Sequence, residues 1–346
     1  MSAPLAPDSA IRETQSHSAL SSSATSVAGP NDLLYVANAG SNAITVYHTG
    51  ASGNTAPLAT IVGSKTRLNN PGPLSEDANG DLYVANEHLE APSSILVFKH
   101  GANGNVAPLR VIAGPLTGLS TNYLEAVTVD QTTGKIFAMV GTPSGEGSSE
   151  LVRFPPNASG NEAPFATSQT GLYSALQLAS DSTGNNIIEA SNGECCSSVF
   201  FGIYTLEKQF PNGAGLTPIY RVNSFGTSGV ADDPTTGTYL ASGSDGLTSG
   251  IFRLDEDTVG HGVNPFGGTA VFTPPLVSVI TSDTCGSQLA LGYQRNIYVA
   301  HNSTLGCAAD AVYVFKHDAS GNAAPLRVLT GSATKLDQPS GIYEGK

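Results

Sequence analysis

The run Asp77-Ala78-Asn79-Gly80-Asp81-Leu82-Tyr83-Val84-Ala85-Asn86 decides the fold, together with Ile95-Leu96-Val97-Phe98 and Ala102-Asn103-Gly104-Asn105-Val106-Ala107-Pro108 after it. Asp77 to Gly80 is turn chemistry, because Asp can cap a turn and Gly supplies positive φ. Leu82 to Asn86 and Ile95 to Phe98 are short apolar runs rich in β-branched and aromatic residues, bounded by turn signals, and read as strands. Gly104-Asn105 marks a second hairpin, and Pro108 opens a further short strand where an outermost edge tolerates a missing donor.

The unit repeats. Leu34 to Asn38 and Ile297 to Ala300 are close copies of the Leu-Tyr-Val-Ala-Asn strand, and Lys135 to Met139, Asn186 to Ala190 and Thr238 to Ser242 are weaker ones. Aligned on Tyr35, Tyr83, Phe137, Ile188, Tyr239 and Tyr298, the spacings are 48, 54, 51, 51 and 59 residues. The second hairpin recurs as Ala51 to Pro57, Ala319 to Pro325 and Asn157 to Pro164. Each unit is a four-stranded antiparallel meander without a credible amphipathic helix. One such sheet cannot bury both faces, whereas a radial array can, so the expected fold is an all-β, six-bladed β-propeller. The chain enters its first unit at a second strand and ends in Gln338-Pro339-Ser340-Gly341-Ile342-Tyr343, which predicts that the C-terminal strand closes the N-terminal blade. The domain reading is a disordered Ser/Ala/Pro-rich leader over 1–30 and a propeller over 31–346, since the leader lacks the apolar residues that offset ordering entropy.

Composition narrows the function classes. Fifteen Lys and Arg against 28 Asp and Glu give a formal charge of −13, which would repel phosphate backbones, so nucleic acid is excluded as a partner. No stretch approaches the about 18 consecutive apolar residues of a membrane helix, and no membrane insertion is expected. Only 12% of residues are charged, Ser, Thr, Asn and Gly are abundant, and four cysteines match no zinc spacing. These features suggest an exported monomer, extracellular or periplasmic, read after a cleaved signal. The sequons at Asn157 and Asn302 matter only in a eukaryotic host.

The order Pro-x-Gly, Asp-x-x-Gly, Leu-Tyr-Val-Ala-Asn, Ile-x-Val-Tyr/Phe and Gly-Asn-x-Ala-Pro resembles the NHL-type six-bladed propellers of exported bacterial proteins. The resemblance covers residues 31–346, strongly in units one, two and six. It implies the fold and says little of function, because propellers host binding, scaffolding and hydrolysis alike.

In a four-stranded blade the loops joining strands two and three share a face with the connections between blades. Here these loops are long and irregular: Glu87 to Ser94, Gly141 to Ser149, Ser191 to Ser198, Ser242 to Gly250 and Asn302 to Asp310. That face, with the channel mouth at its centre, is the expected binding face. Gly72, Glu125, Leu176, Ser228, Ser287 and Ser340 align as a ring at the mouth, with Glu125 its single carboxylate. By resemblance to gluconolactonase-type propeller lactonases, Glu125 would be a metal ligand or general base, and the cofactor a divalent cation such as calcium. The ordinary reading is an acid hydrogen-bonded to neighbouring backbone or water, because one Glu is not a ligand set. Asn38, Asn86 and Asn302 end equivalent strands and either converge on a ligand or satisfy loop backbone. His88 and His301 share the face without a partner at metal spacing. His100 and His317 repeat in the short hairpins of the opposite rim and read as solvated.

Cys285 and Cys307 fall on one face of one blade and are expected to form a disulfide. Cys195 and Cys196 then bond to each other, pair elsewhere or stay reduced; a bond between neighbours would distort the backbone. With no nucleophile elbow, phosphate loop or His-Glu-x-x-His, the leading expectation is a non-catalytic module binding a protein, glycan or small ligand at the long-loop face. A metal-dependent hydrolase or lyase of the lactonase kind, built on Glu125, is the alternative.

Overall fold

The Leu-Tyr-Val-Ala-Asn strand is buried along its whole length because both of its faces are covered. Side chains alternate across a strand. Tyr83 and Ala85 pack toward Val127, Ile136 and Phe154 of the next repeat, while Leu82 and Val84 pack toward Tyr35, Ile44 and Val46 of the previous one. The first copy divides in the same way, with Tyr35 and Ala37 facing forward and Leu34 and Val36 facing back to Tyr298 and Val312. Burying Tyr47, Tyr83 and Tyr298 completely stabilises each contact between sheets; truncating one such ring to Ala costs about 3–5 kcal/mol.

The computed structural model describes residues 32–345 apart from 88–91, 120–122, 142–148, 170–174, 181–185, 196–197, 208–221, 224–225, 234, 245–248, 256–275, 282–284, 286–287 and 293. The leader expected over 1–30 lies outside the described residues. The strands form four-stranded antiparallel sheets, numbered I to VI along the chain. Sheet I pairs Pro339–Gly345, Leu33–Asn38, Ala43–His48 and Ala59–Val62 in that order from the inside outward, so the C-terminal strand is the innermost strand of the N-terminal sheet. In register, Tyr35 faces Tyr343 and Val36 faces Ile342. The innermost strands of sheets II to VI are Pro71–Glu76, Tyr123–Val129, Ala175–Ser180, Gly226–Asp233 and Gln288–Leu291.

These innermost strands neighbour one another round a closed ring, the arrangement of a β-propeller. Polar groups join them: Ser340 Oγ donates to the Pro71 carbonyl at 2.5 Å, Val129 N–H to Ser75 Oγ at 3.0 Å, Val230 N–H to Gln177 Oε1 at 3.1 Å and Gln288 Nε2 to the Ser228 carbonyl at 3.2 Å. Among the described residues the helical segments are four 3-10 turns, and no helix is long and apolar enough to cross a membrane.

The expectation of a six-bladed propeller of four-stranded blades is corrected to five blades on the repeat plan and one sheet that departs from it. Five sheets follow the repeat plan, with outer strands of three to five residues. Sheet IV departs from it: its middle strands, Asn186–Cys195 and Ser198–Glu207, have ten residues each, and its outer strand, Val222–Asn223, has two. The long loop expected over Ser191 to Ser198 is thus strand up to Cys195, which faces Ser198 in register. The loop expected from Ser242 is shorter for the same reason, since strands reach Ser244 and resume at Ser249.

The Gly-Asn-x-Ala-Pro hairpin joins adjacent sheets as well as turning the chain. Gly104 N–H donates to the Thr60 carbonyl at 2.8 Å, the Gly104 carbonyl accepts from Val62 N–H at 3.2 Å, and Asn105 Oδ1 accepts from Lys65 N–H at 2.7 Å. Gly160 with Asn161 repeats the contact on the strand around Ile112, and Gly53 with Asn54 repeats it on the strand around Leu329. The hairpin of one sheet therefore covers the free edge of the sheet before it. Gly53, Gly104, Gly160 and Gly321 hold φ between 61° and 74°, which explains why the motif needs glycine there.

A second correction concerns His317. It is not solvated but lies over the buried Asp233 of sheet V, hydrogen-bonded to its Oδ2. Arg253 Nη1 donates to the same oxygen at 2.6 Å, its Nη2 reaches the His317 carbonyl at 2.8 Å, and Arg295 Nη2 is 3.7 Å from Asp233 Oδ1. Burial alone would push the Asp233 carboxyl up. Hydrogen bonds from Thr235, His317, Thr236 and Arg253 outweigh it and hold the group well below the usual carboxylate range.

Candidate functional site

Near its start each of five innermost strands carries a register shift: between Pro71 and Leu74, Leu124 and Ala126, Ala175 and Gln177, Thr227 and Gly229, and opposite Ala37/Asn38 of sheet I. The extra residues are Gly72 with Pro73, Glu125, Leu176, Ser228 and Ser340. These are the positions aligned from sequence as a ring, and the ring is a set of bulges. A bulge leaves its residue outside the ladder and re-aims the side chain, which is why bulges gather beside binding sites. Ser287 lies outside the described residues.

A cavity of about 400 Å3 opens at this mouth, lined by Pro71, Gly72, Pro73, Glu87, Tyr123, Glu125, Gln288 and Ser340. Glu125 is half-buried, and Ser149 Oγ donates to its Oε2 at 3.1 Å. Gly141 makes room for it, because a Cβ there would fall 2.3 Å from Glu125 Oε1. Glu87 is a second carboxylate in the same cavity; Asn70 Nδ2 donates to its Oε2 at 3.0 Å, and burial pushes its carboxyl up. Ser340 gives its hydroxyl proton to backbone, with the Pro71 carbonyl at 2.5 Å and the Ala37 carbonyl at 3.3 Å, so only its oxygen faces a ligand as an acceptor.

Below the mouth Gln177 crosses the channel. Its Oε1 accepts from Val230 and Leu289 N–H, both at 3.1 Å, and its Nε2 donates to the Leu289 carbonyl at 2.6 Å. Beyond it lies a second cavity of about 230 Å3, lined by Ser75, Gln131, Asp232, Tyr343 and Glu344 among others. Gln177 lines this inner cavity and not the mouth.

The remaining sequence candidates separate from it. Asn38 is fully buried; its Nδ2 donates to Thr45 Oγ1 and the Val36 carbonyl, both at 3.0 Å, and its Oδ1 accepts from Asp337 N–H at 2.9 Å. Asn86 likewise binds Asn69 N–H, the Arg67 carbonyl and Ser94 Oγ at 2.8, 3.2 and 3.2 Å. Asn302 caps a 3-10 turn by accepting from Thr304 N–H at 2.9 Å. All three bond to neighbouring backbone, and none lines the mouth cavity. His301 is buried, with its ring stacked 4.1 Å from Tyr313. His88 lies outside the described residues, as do the side chain of Cys195 and all of Cys196. The expected Cys285–Cys307 disulfide is present, with sulfurs 2.08 Å apart. Sequence reasoning missed Glu87, Tyr123 and Gln288, although Glu87 directly follows the strand motif and Gln288 adjoins a residue already placed in the ring.

No protein family and no curated protein matches the sequence. Solved structures do match. A chain of the nidogen/laminin complex superposes with a TM-score of 0.62 at 12% identity, covering 91% of this chain and 98% of that one. The periplasmic gluconolactonase PpgL of Pseudomonas aeruginosa superposes with a TM-score of 0.57 at 12% identity, covering 91% and 99%. A protein from Lactobacillus plantarum gives 0.53 at 12% identity, covering 91% and 99%. At these identities the likeness is one of fold, and the fold is a β-propeller.

Proposed function

We propose that this chain is an exported propeller of the NHL-like kind that binds a small hydroxyl- or ammonium-bearing ligand, such as the end of a glycan, at the Glu125 mouth. The observation that carries the reading is the cavity of about 400 Å3, within the range of small-ligand pockets. Its polar groups converge, and Ser149 holds Glu125 in place. Glu125 and Glu87 accept hydrogen bonds from hydroxyl or ammonium groups, and Tyr123 and Pro71 to Pro73 supply apolar walls. The Cys285–Cys307 bond supports an oxidising compartment. Among the structural neighbours one propeller belongs to a complex of two proteins, so a partner protein presenting such a group fits the same reading.

The test is a thermal-shift screen of monosaccharides, oligosaccharides and simple amines in chelator, with wild type and Glu125→Gln. A ligand that stabilises only the wild type supports the reading.

A second reading, a metal-dependent hydrolase, draws on Glu87: two carboxylates in one cavity are the beginning of a divalent-cation site. Elemental analysis of protein purified without chelator separates the readings. About one equivalent of calcium, zinc or manganese, lost in Glu125→Gln, favours the hydrolase and calls for a lactone and ester screen.

A further inference from the structure

Cys285, His301 and Cys307 bring one sulfur, one imidazole nitrogen and a second sulfur within 4.8 Å of one another, and none of the three lines the mouth cavity. We infer that this trio is a redox-gated site for a thiophilic divalent cation, closed while the disulfide stands and opened by its reduction to two thiols. Two thiolates and an imidazole are the donors zinc selects, whereas calcium takes oxygen ligands. Tetrahedral zinc with sulfur at about 2.3 Å places its two sulfurs about 3.8 Å apart. The donor atoms of Cys285, His301 and Cys307 already lie within 4.8 Å of one another, so small side-chain movements bring all three round one ion. A water fills the fourth position.

The backbone that presents His301 and Cys307 is tied down without the disulfide. Asn302 caps the turn after His301, and Asp310 Oδ1 accepts from Ser303 N–H at 2.8 Å. Asp310 Oδ2 accepts from Gln338 N–H at 2.9 Å, and its carbonyl from Thr330 Oγ1 at 3.0 Å. His301 pairs with Ala311 in the sheet and stacks on Tyr313, which fixes its ring plane. Cys307 Sγ lies 2.9 Å from the Cys285 carbonyl, so the released thiol has an acceptor that keeps it beside its former partner. His301 and Cys307 are buried, while Cys285 is partly exposed and gives the ion its way in.

The reduction balances with a phosphine and water. The phosphine is oxidised to its oxide by taking the water oxygen, and the two water hydrogens end on the cysteine sulfurs. The cation then displaces the two thiol protons into buffer.

The test uses the full chain with Cys195→Ser and Cys196→Ser, treated with a phosphine that is then removed, and titrated with Co2+ under argon. The expected result is one equivalent bound, with thiolate-to-cobalt charge-transfer bands and tetrahedral d–d bands, both absent from the unreduced protein. Adding His301→Ala weakens binding by about tenfold or more. No cobalt bound after reduction, the same spectrum before reduction, or indifference to His301→Ala overturns the proposal. Should the serine substitutions unfold the chain, alkylation of reduced wild type followed by mass spectrometry reads the same site. Zinc is expected to slow labelling of Cys285 and Cys307, and labelling indifferent to zinc overturns the proposal.

Discussion

Asn86 and Glu125 separate two kinds of polar residue on one face. Asn86 is fully buried and spends its amide on loop backbone and Ser94, so Asn86→Ala leaves buried groups unpaired and should cost about 1–3 kcal/mol without changing ligand affinity. Chemical denaturation, together with binding of whichever ligand the screen finds, checks both halves. Glu125 depends on Gly141 for its room. Gly141→Ala should displace the carboxylate and lower affinity while leaving the melting temperature nearly unchanged. Asp233 governs the acid response. Its folded-state carboxyl titrates below its unfolded value of about 3.9, so its network stabilises the fold fully above that pH and is lost as pH falls below it. Asp233→Asn leaves Arg253 buried without its counter-charge and should cost about 3–5 kcal/mol at neutral pH. Urea unfolding as a function of pH should show a shallower loss of stability below pH 4 in the variant; equal slopes in the two proteins would remove Asp233 from the account.

At the scale of elements, the strand pattern was legible because each repeat carries its turn chemistry in sequence. Leu82 to Asn86 and Ile95 to Phe98 follow from apolar runs bounded by Gly and Asn, and the observed strands are Leu82–Asn86 and Ser94–Phe98. The bulge ring was legible too, since Glu125, Ser228 and Ser340 hold equivalent places near the start of their innermost strands. What a local motif could not disclose is its partner. Gly104-Asn105 reads as a hairpin on its own, and only the neighbouring strand around Ile61 shows it joining two sheets. His317 looked solvated for the same reason, because Asp233 is 84 residues away in sequence. Sheet IV is spaced like its neighbours in sequence, at 51 residues on either side of Ile188, and its longer strands show only in their pairing. Asn105→Ala removes the acceptor for Lys65 N–H and should cost about 1 kcal/mol, measured as a shift in denaturation midpoint. Gly104→Ala forces a side chain into φ 74° and should cost about 1–2 kcal/mol.

At the scale of the whole molecule, closure joins the chain's two ends in one sheet. Pro339–Gly345 pairs with Leu33–Asn38, buries Ile342 and brings Ser340 to the mouth. Deleting residues 338–346 exposes the Leu33–Asn38 edge, opens the ring and removes part of the pocket. A calorimetric scan should show the melting temperature falling by many degrees; an unchanged scan would contradict closure. The channel behind the mouth is crossed by Gln177, which makes the propeller a support for a pocket at one end. The lining of the mouth comes from sheets I, II, III and VI.

The central claim is that this mouth binds a small polar ligand through Glu125 without needing a metal. The most direct measurement is calorimetric titration, in chelator, of the compound giving the largest thermal shift, into wild type and Glu125→Gln. The account predicts one site per chain in the wild type, at least about tenfold weaker binding in the variant at equal melting temperature, and ligand recovered unchanged. A compound that binds both proteins equally, or one bound and consumed only when a divalent cation is restored, would contradict it.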